Sequence, residues 1–199
     1  MIGVDLRRIA WGAALGGIAA GVGHHALRRP GGRGVDEELR RAVNAGHGAG
    51  ADRFFRGVTE LGSLYAAGAA SGTLAVAGRR RAAASAAGAA ATTWLLGQVV
   101  KKLVDRPRPY DADADGTRKL IAPPMGTSWP SSHPAVLTAF TRVAGSELAL
   151  GAAARAGLTA LDLSVATSRV YLGVHYPSDV VAGLLIGRSV ARLWPSFRR

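Results

Sequence analysis

The chain has 199 residues, 48% of them hydrophobic and 27 of them Gly, and its 25 Lys and Arg against 13 Asp and Glu give a formal net charge of +12. It has no cysteine, which excludes disulfides and thiolate metal sites. The basic residues bracket long uncharged runs instead of forming a stripe, and no RNA- or DNA-binding signature occurs, so no nucleic-acid partner is expected.

The first apolar run, Ile9–Leu27, follows Arg7 and Arg8. With no small-x-small cleavage site behind it, the run reads as an uncleaved first span. A polar, Gly-containing connection runs from Arg28 to Gly57, with an amphipathic helix expected near Val35–Asn44. Leu61–Gly78 and Ala82–Val100 then hold no charge over 18 and 19 residues, joined by the basic turn Arg79, Arg80 and Arg81. Ala135–Ala154, Ala156–Val174 and Val180–Trp194 complete the set, the first two meeting at Arg155.

A membrane span needs about 20 predominantly apolar residues. Six such runs in one chain leave too little polar surface for a soluble bundle, even at a mean hydropathy of +0.15. The expected fold is therefore all-α, a polytopic membrane bundle of about six transmembrane helices. It is read as one domain over 1–199, with 1–57 the first span and polar connection and 58–199 the helical core. Gly12/Gly16, Gly17/Gly21, Gly68/Gly72 and Gly183/Gly187 have the spacing that lets helices approach closely, so a homo-oligomer through small-residue faces is expected. If the short basic turns lie in the cytoplasm, the Lys101–Ser132 loop and the Val174–Asp179 turn face outward. The Arg28–Arg56 connection would face outward too, against the trend its arginines would set.

The two outward loops carry the reactive groups. The first begins KKLVDRPRP at Lys101 and ends with Pro130, Ser131, Ser132 and His133; the second reads SRVYLGVHYPSD from Ser168 to Asp179. Brought together, a lysine, arginines, serine hydroxyls and two histidines form a polyanion site. Arg offers a bidentate fork to phosphate and Lys a point charge. The helix start at His133 adds free N–H groups, and Pro134 suits a first-turn position.

These segments resemble the type 2 phosphatidic acid phosphatase family, whose site is shared with vanadium haloperoxidases. The family pattern is Lys, six residues, Arg-Pro; then Pro-Ser-Gly-His; then Ser-Arg, five residues, His, three residues, Asp. Lys101, Arg108 and Pro109 match the first part, Pro130, Ser131 and His133 the second, and Ser168, Arg169, His175 and Asp179 the third. Ser132 stands where the family has Gly, and would be strained if that position required a positive φ.

The resemblance implies a phosphatidic acid phosphatase type 2-like core and an integral-membrane lipid phosphatase, with its site on the extracytoplasmic side of the plasma membrane. It implies metal-independent hydrolysis of a phosphomonoester or diphosphate on a membrane lipid: a polyprenyl diphosphate, a prenyl-phosphosugar phosphate or a phosphatidic acid. His175 would be the nucleophile, giving a phosphohistidine, with Asp179 orienting it. His133 would serve as general acid and then base, and Lys101, Arg108, Ser131, Ser132 and Arg169 would bind phosphate. No cofactor and no metal are implied. The alternatives are a lipid phosphotransferase using the same site and a non-catalytic membrane protein that binds phospholipids.

Other charged groups read as structural. Lys102 and Arg106 lie off the motif positions, and His24, His25 and His47 have no evident partners. DADADG at Asp111–Gly116 imitates a calcium loop but has Ala122 where the bidentate Glu belongs, so it is expected to be a solvated acidic loop. Arg142 and Asp162 fall at matching depths on adjacent antiparallel spans and are expected to pair.

Overall fold

The computed structural model describes residues 10, 12–21 and 30–194. Every regular element among them is a helix: α1 (residues 12–21), α2 (Pro30–Asn44), α3 (Ala49–Glu60), α4 (Leu64–Val76), α5 (Arg80–Leu103), α6 (Pro109–Ala112), α7 (Ser132–Glu147), α8 (Ala152–Tyr171) and α9 (Pro177–Leu193). The later apolar runs become α4, α5, α7, α8 and α9, and the amphipathic stretch near Val35–Asn44 lies in α2. Beyond residues 10 and 12–21, the first expected span lies outside the described residues, as do His24 and His25. Among the described residues no helix is long and apolar enough to cross a membrane. α5 and α8 reach 24 and 20 residues, but Ala dominates their apolar content. α4, at 13 residues, spans only about 20 Å.

α7 is the axis of the bundle, packing against α4, α5, α8 and α9. Its residues Val136, Ala139, Phe140, Val143 and Ala144 join Ala67 of α4, Ala86, Ala89 and Ala90 of α5 and Val190 of α9 in one core cluster. Alanine supplies the α5 side of this core, so two long helices come close without large side chains between them. α9 approaches closer still. A Cβ on Gly183 would overlap the Ser131 carbonyl oxygen, and one on Gly187 the Ala135 carbonyl oxygen. This small-residue pair is thus used inside the chain against α7, whereas Gly17, Gly21, Gly68 and Gly72 face open space.

Two expectations are corrected. α7 ends at Glu147, so it meets α8 at Leu148–Gly151 and not at Arg155, which lies in the first turn of α8. Ala149 takes φ 52° and Leu150 N–H reaches back to the Gly145 carbonyl at 3.0 Å, a closure that composition alone does not reveal. Arg142 and Asp162 do not pair. Asp162 accepts from Thr141 Oγ1 at 3.0 and 3.3 Å, while Arg142 donates to Thr159 Oγ1 at 3.1 Å. One residue of helix is about 100° of rotation, so Thr141 and not Arg142 faces Asp162.

The polar connection is built structure. Asn44 at the end of α2 donates to the Tyr171 carbonyl at 2.7 Å and accepts from Arg118 N–H at 2.8 Å. On α3, Asp52 accepts from Tyr171 Oη at 2.7 Å and Phe55 packs on the Tyr171 ring at 4.2 Å. His47 also lies against Tyr171, with ring centroids 5.8 Å apart. α2 and α3 therefore close over the C-terminal end of α8. The acidic loop is not merely solvated: Asp113 lies 3.4 Å from both Arg40 and Arg41 of α2.

The α7–α9 contact predicts a graded response to added methyl groups. Gly183→Ala and Gly187→Ala should each cost about 1–3 kcal/mol, read as a lowered thermal midpoint in detergent micelles. Gly72→Ala, facing open space within α4, should be neutral or slightly stabilising. Equal effects at all three positions would contradict the packing described.

Candidate functional site

α5 ends at Leu103; Arg106 N–H then closes a tight turn on the Val104 carbonyl at 3.2 Å, and the chain leads through Pro107 to an extended Arg108 (φ −77°, ψ 160°). Arg106 precedes Pro107 and Arg108 precedes Pro109, and the proline ring disfavours helix in the residue before it. The RPRP segment sends both arginines into the protein, where they are 6% and 3% exposed.

Arg108 is held by backbone carbonyls: Nε donates to Gly126 (3.0 Å), one terminal nitrogen to Val174 (2.9 Å) and the other to Met125 (3.2 Å). The nitrogen bound to Val174 also lies 3.3 Å from His175 Nε2. Lys101, in the last turn of α5, donates to the Thr127 carbonyl at 2.6 Å, and Arg108, Asp179 and Arg169 are its charged neighbours.

His175 sits in the turn between α8 and α9, which reverses at Gly173 (φ 76°). A Cβ there would meet Thr117 Cγ2 at 3.0 Å and, closer still, the Arg118 carbonyl oxygen. Four residues on, Asp179 approaches His175 Nδ1 with Oδ2 at 3.3 Å. A carboxylate only accepts, so Nδ1 carries the proton and Nε2 presents its lone pair. Burial drives this ring down to about 3; Asp179 opposes the shift, while Arg169 and Arg108 reinforce it. The resting imidazole is neutral.

Arg169, in the last turn of α8, is 2% exposed and donates to Thr59 Oγ1 of α3 at 2.8 Å, while its Nε has no partner. Ser131, which caps the start of α7, is fully buried; its N–H donates to the Asp179 carbonyl at 3.1 Å, and its Oγ has no partner. His133 lies in the first turn of α7, with the cations Arg169, Arg108 and Lys101 and the His175 ring as neighbours. The α3–α4 corner presses on it, for a Cβ at Gly62 would sit 2.9 Å from His133 Cβ. Lys101, Arg108, Ser131, His133, Arg169, His175 and Asp179 thus gather at one end of the bundle.

Ser132 differs. Its Oγ is buried without a partner and faces Gly97 of α5, where a Cβ would stand 3.5 Å away. Among the described residues Ala149 is the one non-glycine with positive φ, so the strain considered for Ser132 is absent.

Motif matching missed Arg106 and Asp36. Arg106 donates to Asp179 Oδ1 at 2.5 Å and to Asp36 Oδ2 of α2 at 2.5 Å, which makes a buried three-charge cluster. The signal for Arg106 was the repeat of Arg-Pro two residues apart. Asp36 had none, being 70 residues away in the chain. Chemically, the arrangement offers a neutral, oriented imidazole beside unpaired buried donors and fixed cations, which suits a phosphoryl group.

The state of His175 fixes the sign of one pH effect. Unfolded, the ring titrates near 6.5; folded, it titrates near 3. The unfolded chain therefore binds a proton that the folded chain refuses, and stability is full above 6.5 and lost as pH falls towards 3. His175→Asn should flatten the pH dependence of the thermal midpoint in that window. Identical slopes in the two proteins would contradict it.

Several known proteins are similar to this chain. Decaprenylphosphoryl-5-phosphoribose phosphatase from two strains of Mycobacterium tuberculosis, CDC 1551 and H37Rv, is 34% identical over 95 residues. That match takes in 48% of this chain and 49% of the relative, so the chain spans about half the length of the curated relatives it matches. The transmembrane PAP2-type phosphatidylglycerolphosphate phosphatase of Bacillus subtilis superposes with a TM-score of 0.72 at 21% identity, over 90% of this chain and 92% of that one. LpxE of Aquifex aeolicus superposes with a TM-score of 0.68 at 27% identity, over 77% of this chain and 90% of that one. Residues 82–199, from α5 through the RPRP segment, the start of α7 and the His175–Asp179 turn, match the PAP2 superfamily, and the chain belongs to that family.

Proposed function

We propose that this protein removes a phosphate group from a phosphorylated membrane lipid through a phosphohistidine on His175. The observation that carries the reading is the buried His175, its Nδ1 committed to Asp179 and its Nε2 3.3 Å from Arg108, at the end of the bundle where Arg169 Nε and Ser131 Oγ are buried without partners. Burial and its cationic neighbours keep His133 neutral at rest, so it takes up a proton as the anionic headgroup enters. In the first step Nε2 attacks phosphorus, the bond from phosphorus to the lipid oxygen breaks, and His133 gives that oxygen this proton. In the second, His133 takes a proton from water, the oxygen attacks phosphorus, and the P–N bond breaks to release phosphate and restore His175. Arg108, which rests against Nε2, transfers its hydrogen bond to an arriving phosphoryl oxygen and frees the lone pair. Lys101, Arg169, Ser131 and the backbone N–H of Ser132 hold the remaining charge as it develops. Asp179 keeps the ring in one tautomer and one orientation.

Membership of a lipid-phosphatase family supports the reaction class, and the mycobacterial relative favours a prenyl-linked sugar phosphate as substrate. The Bacillus structure, named as a transmembrane enzyme, supports placement in the plasma membrane as a multi-pass protein. Arg79, Arg80, Arg81, Arg155 and Arg192 cluster at the helix ends away from the site, which suits a cytoplasmic face there and an extracytoplasmic site.

Phosphate release from a panel of prenyl-linked and glycerol-based lipid phosphates, assayed in detergent, tests the reading. His175→Ala should abolish release while lipid still binds, since the cationic cradle remains; turnover at wild-type rates would overturn the nucleophile. His133→Ala should lower kcat by about 10²–10⁴-fold, with least loss on substrates whose leaving group needs no proton. A loss independent of leaving group would reject the acid role. Because fixed cations neutralise the phosphoryl oxygens, activity should survive EDTA, and an EDTA-sensitive activity restored by Mg²⁺ would contradict the scheme.

A further inference from the structure

We infer that Asp36, on α2 and outside the stretch that matches the family, is a positioning residue for His175, acting through Arg106 and the first turn of α9. The inference rests on the proposed role of His175 as nucleophile.

The start of α9 is capped only in part from within: Asp179 Oδ2 takes the Tyr176 N–H at 2.9 Å and the Tyr176 carbonyl takes the Asp179 N–H at 3.1 Å. Tyr176 at its N-cap makes no side-chain capping bond, and Pro177 has no N–H to offer. The Ser178 N–H, one of the unpaired donors of the first turn, is taken up by Asp36 Oδ1 at 2.8 Å from 142 residues away. Asp36 Oδ2 accepts the Ser178 hydroxyl at 2.6 Å and one arm of Arg106 at 2.5 Å. Asp36 is thus an N-cap supplied from another element, and its negative charge sits where the α9 dipole favours an anion.

The other arm of Arg106 donates to Ser178 Oγ at 2.7 Å and to Asp179 Oδ1 at 2.5 Å, and its guanidinium lies 4.0 Å from the centre of the Tyr176 ring. Asp179 Oδ2 is left to face His175 Nδ1, steadied by Ser128 Oγ at 2.5 Å and the Tyr176 N–H at 2.9 Å. Asp36 and Asp179 are 5% and 0% exposed, so neither charge is relieved by water. A cation shared between two buried carboxylates leaves each partly compensated. Without Asp36, Arg106 turns wholly to Asp179, draws its charge from the imidazole, and lets go of Ser178. His175 lies two residues before α9, so the entry angle of that helix sets where Nε2 points. The phosphate cradle of Lys101, Arg108 and Arg169 makes no contact with Asp36 and is unaffected.

This separation gives a signature that general destabilisation does not. Full-length Asp36→Ala, assayed for release from whichever lipid phosphate the wild type hydrolyses, should lose about 10²-fold in kcat, since a misplaced catalytic group costs on that order. Its KM should stay within about 2-fold of wild type, as only orientation and not phosphate contact is lost. Asp36→Asn, which keeps the acceptor for Ser178 N–H but not the charge, should fall between the two and serves if the alanine variant does not fold. Wild-type kcat in a folded Asp36→Ala or Asp36→Asn variant would overturn the inference, as would a loss carried by KM. His175→Ala, measured alongside, separates the two readings. If it is active, the nucleophile assignment fails; if it is inactive while both Asp36 variants turn over normally, the positioning role alone fails.

Discussion

Everything at the functional end of this molecule is arranged around the need to satisfy one fully buried carboxylate. Asp179 accepts from His175, Arg106, Ser128 and the Tyr176 N–H, and its backbone carbonyl takes the Ser131 N–H. An ionised carboxylate removed from water is costly unless surrounded by donors. These donors come from three parts of the chain: Arg106 from the loop after α5, His175 and Tyr176 from the turn before α9, and Ser128 and Ser131 from the approach to α7. Meeting the electrostatic demand of one group therefore docks the three motif segments to one another. The glycines of α9 are the steric counterpart. Only a helix without side chains on that face brings Asp179 within reach of the Ser131 backbone.

What could be read in advance follows the range of the interactions involved. Apolar runs announce helices because burial acts along a continuous stretch, and five of the runs became helices, the Ala135–Ala154 run ending early at Glu147. The set of residues that gathers at one end of the bundle was legible because they sit at fixed spacings within three short segments, each local enough to keep its own geometry. Arg106 lies off the spaced motif positions, and its burial beside Arg108 comes from the way the Arg-Pro-Arg-Pro segment folds back after α5. Asp36 was out of reach on different grounds. Its contacts cross 70 and 142 residues, and no local spacing encodes them. The failed Arg142–Asp162 pairing shows the limit of depth arguments: rise along a helix was estimated well enough, but rotation was ignored, and a single residue of error selected Thr141 as the partner.

The N-terminal connection takes on a different meaning in the folded chain. Its charges sat awkwardly with a simple rule of basic loops on the inner side. In three dimensions they are engaged: Arg40 binds Glu37 and lies beside Asp113, Arg118 pairs with Asp52, and Asp36 with Arg106. Charges neutralised within a folded cap weigh less in setting orientation than bare charges on a flexible turn. The arginines at the opposite end, around Arg79–Arg81, Arg155 and Arg192, have no such carboxylate partners among the described residues.

The unpaired donors at Arg169 and Ser131 carry a consequence for the end of the reaction cycle. On the proposed reading, inorganic phosphate offers those donors the same oxygens that the substrate does, and lacks only the ester bond to a lipid. The cradle itself has no means of preferring one over the other. Discrimination falls to the hydrocarbon tail, whose partition into the surrounding bilayer holds substrate at the mouth of the site while the released ion is free to diffuse. A phosphatase built this way is inherently subject to product inhibition. Its throughput would answer to the phosphate level of the compartment it faces, a sensitivity that the chemistry of the bound state imposes without any separate regulatory site.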